Sequence, residues 1–193
     1  MQIASNFERE RRIIGDLVAA DARALAGAFE AKAVVRTEHL ARQGEPNDKE
    51  YVLLSGKVVS LIGDAEGREV CVGFFIGPCV ITPNLARTAE GKSLVSLRAE
   101  TDGQAASVEA AVLLNLMRGS SEIEDWANAI LRAELGRKTS REWSLAALKA
   151  KERLEWFRRQ YPDHETLFNH SQISSFLGMT PVTLSRLRNS GDL

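Results

Sequence analysis

The sequence predicts an α+β chain, with an antiparallel β-sandwich or barrel first, a long helix next and a compact helical tail last. Three observations predict it. Between Ala33 and Ala111, short β-rich runs alternate with turn residues at roughly eight- to twelve-residue spacing. After Val112 the apolar period becomes helical, and from Ser171 to Arg188 two short helical patterns flank a single glycine, Gly178. The chain has 193 residues, 44% of them hydrophobic, enough for one ordinary core with a small second module.

In order, residues 6–31 are Ala-rich. Ile13, Ile14, Leu17, Val18, Leu25 and Phe29 stand at helical spacing, which predicts one or two opening helices. The β region follows: Tyr51-Val52-Leu53-Leu54, then Ser55-Gly56-Lys57 leading into Val58-Val59-Ser60-Leu61-Ile62, then Val70 to Ile76 after the turn Gly63-Asp64-Ala65-Glu66-Gly67. Thr101-Asp102-Gly103-Gln104 reads as one further hairpin connection. Leu113, Leu116 and Met117 form a helical stripe broken at Gly119-Ser120. Ser121-Glu122-Ile123-Glu124 has the form of a capping box with Ser121 as N-cap. A helix to about Leu148 follows, with Ile123, Trp126, Ile130 and Ala133 on one side and a weak point at Gly136. Residues 150–161 form another helix, stopped by Pro162.

Charge is uneven. The net charge is −1, yet residues 137–193 carry ten Lys/Arg against six Asp/Glu, a local +4, leaving −5 for the rest. A basic tail on an acidic body suits a polyanionic partner such as nucleic acid. No apolar run reaches the roughly 18 residues of a membrane span, and the charged start Met1–Glu10 lacks an apolar signal core, so the expected setting is cytoplasmic. Cys71 and Cys79 are too few for a disulfide framework and read as two buried small hydrophobes. His39, His164 and His170 do not make the inward cluster that a metal-dependent β-roll enzyme needs. Gly91-Lys92-Ser93 ends like a phosphate loop, but Ala86 stands where that motif needs glycine. Trp126, Trp143 and Trp156 read as core or interface residues. These observations predict no enzyme.

The tail carries the sharpest pattern. Gly178 stands where a first helix must end in a left-handed residue. Thr180 is a good N-cap and Pro181 suits the first helical position. Ile173 and Leu177 before the glycine, with Met179, Leu184 and Leu187 after it, give the spacing two steeply crossed helices need to share a core. This is helix-turn-helix spacing. Ser174 holds the small position where the helices approach. An ordinary helical hairpin is the alternative, and it requires fewer of these features to agree.

With these residues in view, the chain resembles the Crp/Fnr transcription regulators. The resemblance is specific over residues 150–188, from Glu152-Arg153-Leu154 through Tyr161-Pro162 to Ile173-Ser174-Ser175-Phe176-Leu177-Gly178-Met179-Thr180-Pro181-Val182-Thr183-Leu184-Ser185-Arg186-Leu187-Arg188. It is looser through Gln43-Gly44-Glu45, Tyr51–Val58 and Asp64–Glu69. It implies a sensory, cyclic-nucleotide-binding-like jelly roll over residues 1–118, a central dimerisation helix over 119–148, and a winged-helix-like helix-turn-helix DNA-binding domain over 149–193. It further implies a homodimer joined through residues about 122–148, with double-stranded DNA and RNA polymerase as partners.

Members that bind a cyclic nucleotide hold the ribose with a Gly-Glu pair and the phosphate with an Arg-Ser pair. Here Gly77-Pro78 stands at the first and Ser93-Leu94 at the second, so the cassette is degenerate and cAMP is not the expected effector. Arg87, Lys92 and Arg98 are the cations left to substitute. In the tail, Pro181, Val182, Ser185, Arg186 and Asn189 form the expected exposed face, with Arg186 placed to read guanine. Relatives usually carry a carboxylate where Val182 stands. Gln172, Thr180, Thr183 and Arg188 are expected on phosphates. Two other readings stay open: a ligand-binding or enzymatic β-roll whose tail only oligomerises, and a helix-turn-helix used for protein contact.

Overall fold

The computed structural model describes residue 25 and residues 27–189, so most of the expected opening helices lie outside the described residues. Leu25, Gly27 and Ala28 are helical, but Glu30 and Ala31 already belong to a strand.

Two four-stranded antiparallel sheets face each other as a jelly roll. The first runs β1 (Glu30–Val34), β10 (Gly103–Glu109), β3 (Lys49–Ser55), β6 (Cys79–Val80). The second runs β2 (His39–Ala41), β9 (Ser96–Ala99), β4 (Lys57–Gly63), β5 (Glu69–Ile76). A small hairpin, β7 (Thr88–Ala89) with β8 (Lys92–Ser93), follows the short helix α1 (Asn84–Arg87). Alternating inward residues fill the roll, among them Tyr51, Leu53, Val58, Phe75, Ile81, Leu97 and Ala105. The expected hairpin at 101–104 is a correction: β9 and β10 lie in different sheets, so the turn carries the chain across the roll. It crosses beside the β3–β4 connection. Gly56 has φ +91°, and a Cβ there would sit 2.9 Å from the Asp102 carbonyl, so glycine is required at this corner.

Helix α2 (Ala110–Gly119) leads to α3 (Ser121–Ala147), which runs unbroken through Gly136. The N-cap of α3 is Ser120, whose hydroxyl accepts from the Ile123 amide at 3.4 Å. The cap therefore lies one residue before the expected Ser121, and Ile123 takes the position where the expected box needs a carboxylate. The stripe Ile123, Trp126 and Ile130 is buried against Leu25, Val108 and Leu113 of the same chain. It is thus covered within the chain and is not a free surface of α3. The large apolar residues that α3 leaves exposed are Leu135 and Trp143.

Four helices follow: α4 (Ala150–Gln160), α5 (His164–Leu167), α6 (His170–Phe176) and α7 (Pro181–Asn189). No strand follows β10 among the described residues. These helices share one core with the outer face of the second sheet. Val59, Leu61, Cys71 and Phe74 of β4 and β5 pack with Leu154, Trp156, Phe157, Phe168, Ile173, Phe176, Leu177 and Leu184. The Phe74 ring lies 4.6 Å from Phe168 and 5.0 Å from Phe176. Ser175 Oγ accepts from the Cys71 amide at 3.0 Å, tying α6 to β5 directly. This explains the continuous run Val58-Val59-Ser60-Leu61, because both faces of β4 are covered.

Candidate functional site

Helices α6 and α7 are joined by a tight turn at Gly178, at the spacing expected of a helix-turn-helix. Asn169 caps α6 reciprocally with Gln172: Asn169 Oδ1 accepts from the Gln172 amide at 2.8 Å, and Gln172 Oε1 accepts from the Asn169 amide at 3.2 Å. Gly178 has φ +61° and closes α6. Thr180 Oγ1 accepts from the Thr183 amide at 3.1 Å, capping α7 as expected. Ile173, Leu177 and Leu184 are wholly buried at the crossing, and Ser174 is 1% exposed where bulk would separate the helices.

The stripe Val182, Ser185, Arg186 and Asn189 is exposed, with Pro181 and Thr180 at its head. Spacing of three and four residues puts these side chains on one face of α7. Arg186, Ser185 and Asn189 can supply the donors and acceptors that base edges require, and Val182 supplies an apolar contact. Two expected phosphate residues are engaged elsewhere. Gln172 is buried in its cap. Arg188 Nε donates to Glu165 Oε1 at 2.6 Å, and its Nη1 donates to His170 Nδ1 at 2.8 Å, while His170 Nε2 donates to the Pro181 carbonyl at 2.7 Å. Arg158 donates to the same Glu165 at 2.6 Å. Burial opposes the charge of Glu165, but Arg158 and Arg188 outweigh it and hold the carboxyl below its ordinary range. Arg188 is therefore a brace inside the module, a role its position on the helix did not reveal.

The cassette is equally legible in detail. Pro78 is exposed and offers no carboxylate, and a Cβ on Gly77 would meet Ser55 backbone at 2.7 Å. Ser93 is buried, its hydroxyl donating to the Val95 carbonyl at 2.7 Å, while Leu94 is half exposed. Of the candidate cations, Arg87 and Arg98 are engaged by the roll itself. Arg87 is 1% exposed and donates to the Thr82 carbonyl at 2.9 Å, to Asn47 Oδ1 at 2.6 Å and to the Lys49 carbonyl, with its guanidinium over the Tyr51 ring. Burial lowers its pKa, and Glu50 and Tyr51 oppose that shift. Arg98 pairs with Glu69 and Glu100, and Lys92 is exposed.

A cavity of about 630 Å³ opens between β5, residues 86–95, the second half of α3 and the helical unit. Phe74, Phe75, Leu145, Tyr161 and Phe176 give it apolar walls, and Arg137, Lys138 and Arg141 face it from α3. Glu134 is buried beside it. It accepts from Thr82 Oγ1 at 2.8 Å and pairs with Arg137 at 2.6 Å and Lys138 at 3.4 Å. Burial alone would raise the pKa of Glu134, but the two cations and Thr82 hold it down. Cys71, buried beside Arg141 and Tyr161, has its thiol pushed up to about 12 by burial and is no thiolate. Sequence reasoning missed this arrangement, although Phe74-Phe75 in one strand signalled two covered faces.

The described residues include no group of three or more His, Cys, Asp or Glu fit for a metal. They also include no helix long and apolar enough to cross a membrane. Residues 31–120 match the family model of the cyclic nucleotide-binding domain. No curated protein matches the chain. Among solved structures, a CooA mutant from Carboxydothermus hydrogenoformans is similar with a TM-score of 0.75 and 16% identity, covering 92% of this chain and 83% of that one. FixK2 from Bradyrhizobium japonicum has a TM-score of 0.71 and 18% identity, covering 84% and 83%. A transcriptional regulator of the Crp/Fnr family from Eubacterium rectale has a TM-score of 0.66 and 14% identity, covering 91% and 83%. Residues 31–120 therefore match the cyclic nucleotide-binding domain, in a chain whose fold is similar to that of the Crp/Fnr transcription regulators.

Proposed function

We propose that the chain is a sequence-specific DNA-binding transcription regulator, in which a sensory roll over residues 1–118 and a central helix over 119–148 govern a reading module over 149–193. The observation that carries the reading is α7. It is capped, packed at its base, and presents Val182, Ser185, Arg186 and Asn189 to solvent on one face. A helix of this kind enters the major groove and reads base edges. Arg186 takes guanine, and Thr180 and Thr183 hold phosphates.

The regulator works as a homodimer, because two reading helices must be held about 34 Å apart to engage successive major grooves. Exposed Leu135 and Trp143 support a pairing surface on the outer side of α3. RNA polymerase is the partner such a regulator acts on. The effector is not a cyclic nucleotide, since the positions that hold the ribose and phosphate carry Pro78 and Ser93-Leu94, and Arg87 is engaged by the roll itself.

Selection of bound duplexes from a random pool tests the function. A recurring palindromic site, bound with an affinity that falls steeply as salt rises, is the expected result. Recovery of unrelated sequences, or no binding at low salt, overturns the reading.

A further inference from the structure

The cavity beside α3 holds a cation that its surroundings leave uncompensated. Arg137 and Lys138 share Glu134, and the donors of Arg87 go to two carbonyls and Asn47. Arg141 differs. Its Nε donates to the Phe176 carbonyl at 3.1 Å and its guanidinium lies 4.6 Å above the Phe176 ring. Among the described residues no carboxylate pairs with it, and its two Nη groups make no hydrogen bond. Glu142, the other acid facing the cavity, is exposed.

A partly buried guanidinium with two parallel donors free is the complement of a carboxylate. The remaining walls, Phe74, Phe75, Leu145, Tyr161 and Phe176, accept an apolar body. The volume of about 630 Å³ lies within the range of small-molecule sites. Of the three guanidiniums that line the cavity, Arg141 keeps both Nη groups open among the described residues, and one carboxylate fills them.

We propose that this cavity binds a small hydrophobic monocarboxylate, with its carboxylate on Arg141 and its apolar body against Phe74, Tyr161 and Phe176. The proposal rests on the reading of the chain as an effector-responsive regulator and supplies the chemical class of the effector. The arrangement also gives a short route to the DNA module. Phe176 ends α6, the first helix of the helix-turn-helix, so a ligand on Arg141 touches the module itself. End-on pairing through Nη1 and Nη2 leaves the Nε bond to Phe176 in place and stiffens the junction of roll, α3 and α6.

Titration calorimetry on the full chain, with octanoate and 4-phenylbutyrate each beside its primary amide, tests the proposal. One acid per chain binds, and the matched amide binds about ten- to a hundredfold more weakly, since it loses a charged hydrogen-bonded pair. Arg141→Gln lowers the affinity for the acid to that for the amide and leaves the amide unchanged. Failure of both acids to bind at millimolar concentration, amide binding equal to acid binding, or wild-type acid affinity in Arg141→Gln each overturns the proposal. Should Arg141→Gln lose its fold by circular dichroism, the acid–amide comparison on the wild-type chain decides alone. Tighter binding of cAMP than of either acid at the same site also overturns it. Duplex selection is measured without these ligands, so the effector class can fail while the DNA-binding reading stands.

Discussion

The cassette segment of the roll and helix α7 both present arginines at positions where the sequence invites a phosphate or a base, yet they differ in what surrounds those arginines. In the cassette, Arg87 lies wholly inside the roll, and its donors reach Thr82, Asn47 and Lys49. On α7, Arg186 projects from an exposed face. The lesson is that a basic residue is available for a ligand only where the fold leaves its donors unfilled. Arg188, two positions from Arg186, makes the same point inside the helical tail, because Glu165 and His170 already hold it.

The largest expected effect concerns the core that joins the two regions. Phe74→Ala should cost about 3–5 kcal/mol, as for other buried Phe truncations. Roll and helical tail should then melt together in chemical denaturation, because Phe74 packs against both α4 and α6. Two separate transitions in the wild type would break the single-core account. Arg87→Met should cost about 2–3 kcal/mol in stability, by leaving buried acceptors unpaired, without changing affinity for a selected operator. A wild-type denaturation midpoint for that variant would return Arg87 to the list of ligand residues.

The pair on α7 sharpens the contrast. Arg188→Ala should lower stability by about 1 kcal/mol through loss of a charged hydrogen-bonded pair. Arg186→Ala should stay within about 0.5 kcal/mol of wild type, as surface changes do. Equal losses in urea denaturation would contradict the assignment of one as brace and the other as reader.

The smallest effect is a pH dependence. Burial holds His164 neutral below its ordinary value, against the Pro162 hydrogen bond and Asp163, which favour the charge. The unfolded chain therefore takes up more protons, and stability is full above the ordinary pKa of about 6.5 and declines as pH falls through it. His39 is shifted the same way, by burial first and then by Arg42 and Arg98. The loss of melting temperature between about pH 7.5 and pH 5.5 should shrink, not vanish, in His164→Phe. An unchanged loss would place the acid sensitivity elsewhere.

Much of this was readable before the fold. Gly178, Thr180, Pro181 and the apolar spacing around them specify the turn through local conformational preference, which sequence carries directly. The end of α3 and the roll's strand runs were legible for the same reason. The fate of polar side chains was not. Whether Gln172 faces DNA or its own helix cap, and whether Arg188 faces phosphate or Glu165, depends on residues brought together only by tertiary packing. The crossing of Thr101–Gly103 between sheets was hidden for a related reason, since a turn signal does not say which sheet receives the next strand. Likewise Ile123, Trp126 and Ile130 announced a buried stripe without naming what buries it.

The central claim is that α7 reads sequence through Arg186. Fluorescence anisotropy of wild type and Arg186→Ala, on a selected operator and on duplexes changed at each base pair in turn, measures it. The account predicts a loss of about 1–3 kcal/mol in operator affinity for the variant, with preference erased at one base pair per half-site and kept at the others. Unchanged affinity and unchanged preference at every position in Arg186→Ala would contradict it.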